Sequence, residues 1–283
     1  MRTSPLLLSR ALLLPLLLPL LLLAACQATV ESPAGPSFYP FRNGMPRGSV
    51  EDAVQLVKDL GYDGVGSIEA ERVAEYLEAC DQADLEFFST YVGGAVTAEG
   101  FSYDPKVSQA IALLAERDAL VELFVQGTED ATDQHAIAFV REIAAQAKSS
   151  GLRVVLYPHT NFYIDTVDDA LRVARAAACD NVGVAFNLCH FLNVEPGADL
   201  RATLEGAKPL LWSVSTCGAD TDGTNWTTLI QPLDEGTFDQ AALLEHLEEI
   251  NFKGPIGLQC YGISVDQNEN LERSMKAWKA LNR

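Results

Sequence analysis

The sequence predicts an α/β protein, a single (β/α)8 barrel, and three observations carry the prediction. From Phe38 onward, short β-rich runs alternate eight times with longer stretches of helical periodicity. The runs are mostly unpunctuated and apolar, as parallel strands covered on both faces are. Eight such units fill the roughly 246 residues from Phe38 to Arg283, which matches the usual size of this barrel, about 250 residues.

The expected strands cover residues 38–42, 64–68, 86–91, 121–126, 153–157, 183–187, 211–216 and 256–260. After the first, Ser49 precedes Val50, Glu51 and Asp52, a capping-box-like opening. Ala53, Val54, Val57 and Leu60 then share one helical face before Gly61 supplies a stop. After the fourth strand, Ala136, Phe139, Val140, Ile143, Ala144 and Ala147 mark a helix ended by Gly151. After the fifth, Thr166 and Asp169 open another, with Ala170, Leu171, Ala174 and Ala177 facing inward. Before the last strand, Phe238 and Asp239 lead into Leu243, Leu244, Leu247 and Ile250. A doubly wound open sheet is the competitor, but residues 43–48 (Asn-Gly-Met-Pro-Arg-Gly) do not form its Gly-rich phosphate turn.

The amino-terminal residues stand apart from the barrel. Arg2 and Arg10 flank or enter a leucine-rich run over residues 6–23, broken by Pro15 and Pro19 and followed by Leu23, Ala24, Ala25 and Cys26. Two prolines in a short run argue against a spanning helix and for an export signal. The small-small-Cys ending resembles the bacterial lipobox. Residues 1–25 are therefore expected to be a lipoprotein signal peptide, Cys26 the lipidation site and residues 26–37 a flexible tether. Residues 38–283 are the barrel. The expected location is the cell envelope, lipid-anchored and periplasm-facing, with Gln27 after the Cys resembling lipoproteins sent to an outer membrane.

The chain carries 39 Asp and Glu against 20 Lys and Arg, a formal charge of −19. Loss of residues 1–25 removes two arginines and no acids, giving 18 against 39, or −21. This charge excludes a uniform basic field for nucleic acid. Five cysteines remain after Cys26, an odd number without CxxC spacing, which reads as small buried hydrophobes. A thiolate site from Cys189, Cys217 and Cys260 stays open, since each falls near the same end of a different strand.

In such a barrel the chemistry sits at the C-terminal ends of the strands. Two of the four histidines, His159 and His190, lie there, whereas His135 and His246 fall on expected helices and read as surface residues. Tyr157, Asn187 and Gln259 end otherwise apolar runs, where polar groups must be hydrogen-bonded or used. Together they describe a nearly neutral pocket for a hydroxylated ligand.

Residues 61–65 (Gly-Tyr-Asp-Gly-Val), 155–159 (Val-Leu-Tyr-Pro-His), 181–187 with His190, and 254–259 (Gly-Pro-Ile-Gly-Leu-Gln) resemble the xylose-isomerase-like barrels. That group includes sugar phosphate isomerases/epimerases and AP endonuclease family 2 proteins. The resemblance implies a divalent metal held by Glu, Asp, His and Glu at the ends of strands five to eight. The matching positions here are Tyr157, Asn187, Ser215 or Thr216, and Gln259, so every expected carboxylate is replaced. Hard divalent cations favour anionic oxygen. No cofactor is expected, and a divalent metal is disfavoured.

The expected function is isomerase/epimerase-like chemistry on an unphosphorylated sugar or keto-sugar, by proton transfer next to a carbonyl. His159, His190 and Tyr157 are the catalytic candidates. Asn187, Gln259, Glu69, Asp220, Trp226 and Arg42 are the substrate-binding candidates, with Glu69 or Asp220 as alternative bases. Arg42 is the one cation in the strand-end segments, so no phosphate clamp is apparent. The alternative is a non-catalytic carbohydrate-binding lipoprotein that retains the pocket. The expected partners are a small-molecule sugar and, through Cys26, a membrane, with no nucleic acid.

Overall fold

The computed structural model describes residues 35–282. The expected signal peptide, the expected lipidation site Cys26 and most of the expected tether lie outside the described residues. The elements run β1 (Phe38–Pro40), α1 (Val50–Leu60), β2 (Gly64–Val65), β3 (Ile68–Glu69), α2 (Val73–Ala83), β4 (Glu86–Phe87), β5 (Ser89–Val96), β6 (Phe101–Tyr103) and α3 (Lys106–Leu113). They continue with β7 (Leu120–Gly127), α4 (Asp133–Ser149), β8 (Arg153–Leu156), α5 (Val167–Ala177), β9 (Val182–Asn187), α6 (Leu188–Val194) and α7 (Leu200–Ala207). The chain ends with β10 (Leu211–Thr216), α8 (Trp226–Leu229), α9 (Gln240–Glu249), β11 (Ile256–Leu258) and α10 (Gln267–Leu281).

The pairing gives a closed barrel. Parallel neighbours run β1, β11, β10, β9, β8, β7, β5, β3. On the other side of β1, the backbone N–H of Asp63 donates to Phe38 O (3.0 Å), and that of Gly66 to Pro40 O (3.2 Å). These bonds join β1 to β2. The second and third staves are each broken in two, β2 from β3 around Ser67 in a left-handed conformation (φ 55°), and β4 from β5 at Phe88. All eight expected strands are present; β6 is an addition, paired antiparallel to β5.

Alternation along the strands separates two apolar layers. Val121, Leu123 and Val125 of β7 point outward into the large core shared with the helices. Leu120, with Tyr39, Phe41, Val155, Tyr157 and Ala185, fills the barrel interior. Two glycines make room for the interior rings, since a Cβ at Gly66 would stand 2.2 Å from the Tyr39 ring and one at Gly257 2.2 Å from Phe41.

Helix boundaries follow the sequence signals. Ser49 accepts from the Asp52 N–H (3.1 Å), and Gly61 closes α1 in the left-handed region (φ 86°). Thr166 and Asp169 form a reciprocal capping box on α5. Asp199, Asp239 and Asp266 cap α7, α9 and α10. Much of the acidic charge therefore serves helix starts, where a carboxylate satisfies orphan N–H groups. One expectation is corrected: His246 is 3% exposed rather than on the surface. Its position on α9 faces the core, and its Nδ1 reaches Glu249 at 3.1 Å.

Candidate functional site

A cavity of about 470 Å³ opens at the C-terminal end of the strands. Seven of the nine residues singled out from the sequence line it: Arg42, Glu69, Tyr157, His159, His190, Trp226 and Gln259. The other two are placed differently. Asn187 is 2% exposed and lies behind Tyr157, its Nδ2 donating to the Tyr157 hydroxyl. Asp220 does not line the cavity; its Oδ1 accepts from the Thr237 N–H (3.2 Å), which organises the loop after β10.

The two histidines are held in complementary tautomers. His159 Nδ1 lies 2.9 Å from the Thr160 carbonyl oxygen, which only accepts, so Nδ1 carries the proton and Nε2 keeps its lone pair. His190 is the reverse. Its Nδ1 accepts from the Thr160 N–H (3.3 Å), with Thr160 Oγ1 at 3.0 Å, so Nε2 bears the proton. Asn193 Nδ2 donates to the same Oγ1 (3.2 Å) and holds the hydroxyl in place. One residue thus sets both rings, whose centroids are 4.1 Å apart.

The local fold explains this arrangement. His159 follows β8 and stacks on Phe162 at 4.0 Å. His190 sits on α6, a short helix that begins directly at the end of β9. Burial opposes a second proton on either ring. It lowers the His159 pKa, and it pushes His190 down to about 3, with the charge of His159 adding to the effect. His190 is therefore a neutral N–H donor throughout the physiological range.

Tyr157 is 3% exposed, and burial, followed by the neighbouring Tyr91, Cys189 and Glu122, raises its pKa well above 10. It remains a phenol. Since its oxygen accepts from Asn187, its own proton is free to donate. Gln259 Oε1 accepts from Asn43 Nδ2 (2.7 Å) and from the N–H groups of Cys260 and Tyr261 (both 3.0 Å). Its Nε2 has no protein partner among the described residues. Arg42 and Glu69 form a two-pronged ion pair, with Nε donating to Oε2 at 2.7 Å, which ties up the Glu69 carboxylate. Trp226 meets His190 edge-on at 5.4 Å and, with Tyr261, flanks the mouth.

Sequence reasoning missed Glu122. This carboxyl on β7 points into the barrel and is 2% exposed. Its Oε1 accepts from Ser89 Oγ (2.9 Å) and faces Tyr39 OH at 3.5 Å, while Oε2 has no partner. Burial outweighs these donors and raises its pKa to about 7. The signal was available, because Glu122 is the one charged residue in the run 119–125.

The donor set does not fit a divalent metal. The strand-end positions offer a phenol, two amides and hydroxyls, and among the described residues no three His, Cys, Asp or Glu side chains are grouped to hold an ion. The thiols offer no substitute. Cys189, Cys217 and Cys260 are free and buried; the hydrogen-bonding neighbour Cys189, then burial, raises the Cys217 thiol, and burial raises Cys260 to about 12. Cys189 donates to Asn187 Oδ1 (3.1 Å) and Cys217 to Leu229 O (3.3 Å).

A closed (β/α)8 barrel with a polar cavity at its C-terminal face defines the class. Within that class the chain belongs to the xylose isomerase-like TIM barrel family, whose model matches residues 54–281. No curated protein matches it by sequence. Among solved structures it is similar to the 3-keto-D-glucoside 4-epimerase YcjR of E. coli, with a TM-score of 0.67 and 19% identity, covering 86% of this chain and 98% of that one. It is also similar to a D-allulose 3-epimerase from Methylomonas sp. (0.67, 14%, 88% and 99%). A third is the probable 3-DHS dehydratase AsbF from Bacillus anthracis (0.68, 16%, 86% and 98%). At these identities the likeness establishes the fold.

Proposed function

We propose that the protein binds an unphosphorylated sugar or keto-sugar and catalyses isomerisation or epimerisation by histidine-centred proton transfer. The observation that carries the reading is the pair of opposite tautomers on one cavity. His159 offers a bare Nε2, the base for a proton on carbon next to a carbonyl. His190 offers a fixed Nε2–H to the carbonyl oxygen, and the Tyr157 hydroxyl is a second donor to the developing enolate oxygen. In isomerisation the imidazolium formed at His159 gives its proton to the neighbouring carbon of the enediol, while the hydroxyl proton on the original carbon passes to the former carbonyl oxygen. In epimerisation the enediol turns in the cavity and takes the proton back on the opposite face of the original carbon. No step uses a metal. Two of the similar structures are sugar epimerases by name, which supports the substrate class. The segment ending in Cys26 supports export and lipid anchoring in the cell envelope, with the barrel facing the periplasm.

The second reading, a carbohydrate-binding lipoprotein without turnover, draws on the engaged state of Glu69 and the loss of the carboxylates at Tyr157, Asn187 and Gln259. Incubation with D-allulose or a 3-keto-D-glucoside in deuterated water separates the two. Exchange of a carbon-bound proton that disappears in His159→Ala supports catalysis. Sugar binding without exchange assigns the protein to the second reading. Tight stoichiometric Mn²⁺ or Zn²⁺ in purified protein refutes the metal-free site, and failure to bind any sugar refutes both readings.

A further inference from the structure

Beside the sugar cavity lies a second crevice of about 400 Å³, separated from it by Arg42, Asn43 and Tyr261, which line both. Its walls carry three arginines, Arg42, Arg47 and Arg72, and no carboxylate. In a chain of 39 acids and 20 bases this concentration is unusual. The strand ends alone gave one cation. The fold supplies the other two, Arg47 from the loop before α1 and Arg72 from the turn before α2.

Each guanidinium is placed differently. Arg42 is paired with Glu69, and Arg72 with Glu75 while lying over the Tyr76 ring at 5.0 Å. Arg47 is exposed and makes no ion pair among the described residues. Tyr76 is 2% exposed, lines the crevice, and its hydroxyl has no protein hydrogen-bond partner among the described residues. The start of α1, at Ser49 and Val50, forms part of the same wall. Three guanidiniums against two paired carboxylates leave one net positive charge, which suits a monoanion better than a phosphate dianion.

We propose that this crevice is a subsite for a carboxylate on the unit next to the reacting sugar, so that the substrate is a glycoside carrying a uronate or similar acid. The inference deepens the sugar reading and rests on it. Arg47 and Arg72 with the Tyr76 hydroxyl engage the carboxylate, while the reacting ring occupies the neighbouring cavity. Arg42, shared by both spaces, lies between the two units.

The test is calorimetric titration of full-length protein with cellobiose, its terminal uronate (cellobiouronic acid), the monoanion D-glucuronate and inorganic phosphate, at low and high salt. The same set is run on Arg47→Gln and on the Arg47→Gln/Arg72→Gln double variant. The expected result is about tenfold tighter binding of the uronate than of cellobiose, an advantage that shrinks in the variants and in salt while cellobiose affinity holds. Equal affinity of the two disaccharides for the unaltered protein overturns the subsite and leaves the sugar cavity standing. If neither disaccharide binds, the sugar reading fails; D-glucuronate binding that weakens in the double variant then upholds a carboxylate site, and its absence overturns it. Phosphate binding more tightly than D-glucuronate also overturns the carboxylate assignment.

Discussion

Substitution of Glu122 by Gln tests the polar barrel interior most directly. The carboxyl has an ordinary pKa of 4.5, raised in the fold to about 7 because burial outweighs the hydrogen bonds from Ser89 and Tyr39. Between these values the native protein holds a proton that the unfolded chain has released. The contribution is therefore complete below about pH 4.5 and declines as pH rises through 7. The interval of about 2.5 pH units, at about 1.4 kcal/mol each, corresponds to about 3.5 kcal/mol in all, of which about 2.5 kcal/mol is lost between pH 5 and pH 8. Gln has the shape of the protonated acid and cannot ionise. Urea denaturation of the native sequence and Glu122→Gln, measured from pH 5 to 8.5, should give curves that diverge, the variant gaining about 2.5 kcal/mol relative to the native sequence by pH 8. A constant offset from the new amide leaves this slope untouched. Parallel curves would refute the argument, since they would mean that the carboxyl ionises as if solvated.

The other predictions concern the site and its supports. Burial lowers the His159 pKa from 6.5, so the acid limb of deuterium exchange should have its midpoint below pH 6.5; a midpoint above 6.5, persisting in Glu122→Gln, would exclude His159 as the base. Tyr157→Phe removes the partner of the buried Asn187 Nδ2 and should destabilise the protein by about 1–3 kcal/mol, besides slowing exchange. An unchanged denaturation midpoint would show that Asn187 finds another acceptor. Gly66→Ala drives a methyl against the Tyr39 ring and Ser89 Oγ, at 2.2 and 2.7 Å, and should destabilise by about 1–3 kcal/mol; a neutral effect in thermal melts would mean that the interior layer yields.

The sequence by itself determined the order of elements and the level at which the site sits. Apolar runs of strand length, helix faces of period 3.6 and capping residues such as Ser49 and Thr166 are local signals, and each produced its element. The rule that function collects at the C-terminal strand ends then brought seven of nine chosen residues onto one cavity. What the tertiary structure decided are properties that belong to pairs. Asn187 lies behind Tyr157 because α6 starts at once after β9, and Asp220 turns back to the Thr237 backbone; neither follows from position along a strand. Glu122 was visible as a lone acid, but its raised pKa depends on how few donors reach it across the barrel. The tautomers of His159 and His190 depend on one peptide and hydroxyl, Thr160, standing between rings 31 residues apart. Arg72 meets Arg42 and Arg47 at one crevice only because the fold brings the loop after β3 beside the loop after β1. Periodicity reports which way a residue faces its own element, whereas charge, protonation and affinity depend on what faces it in return.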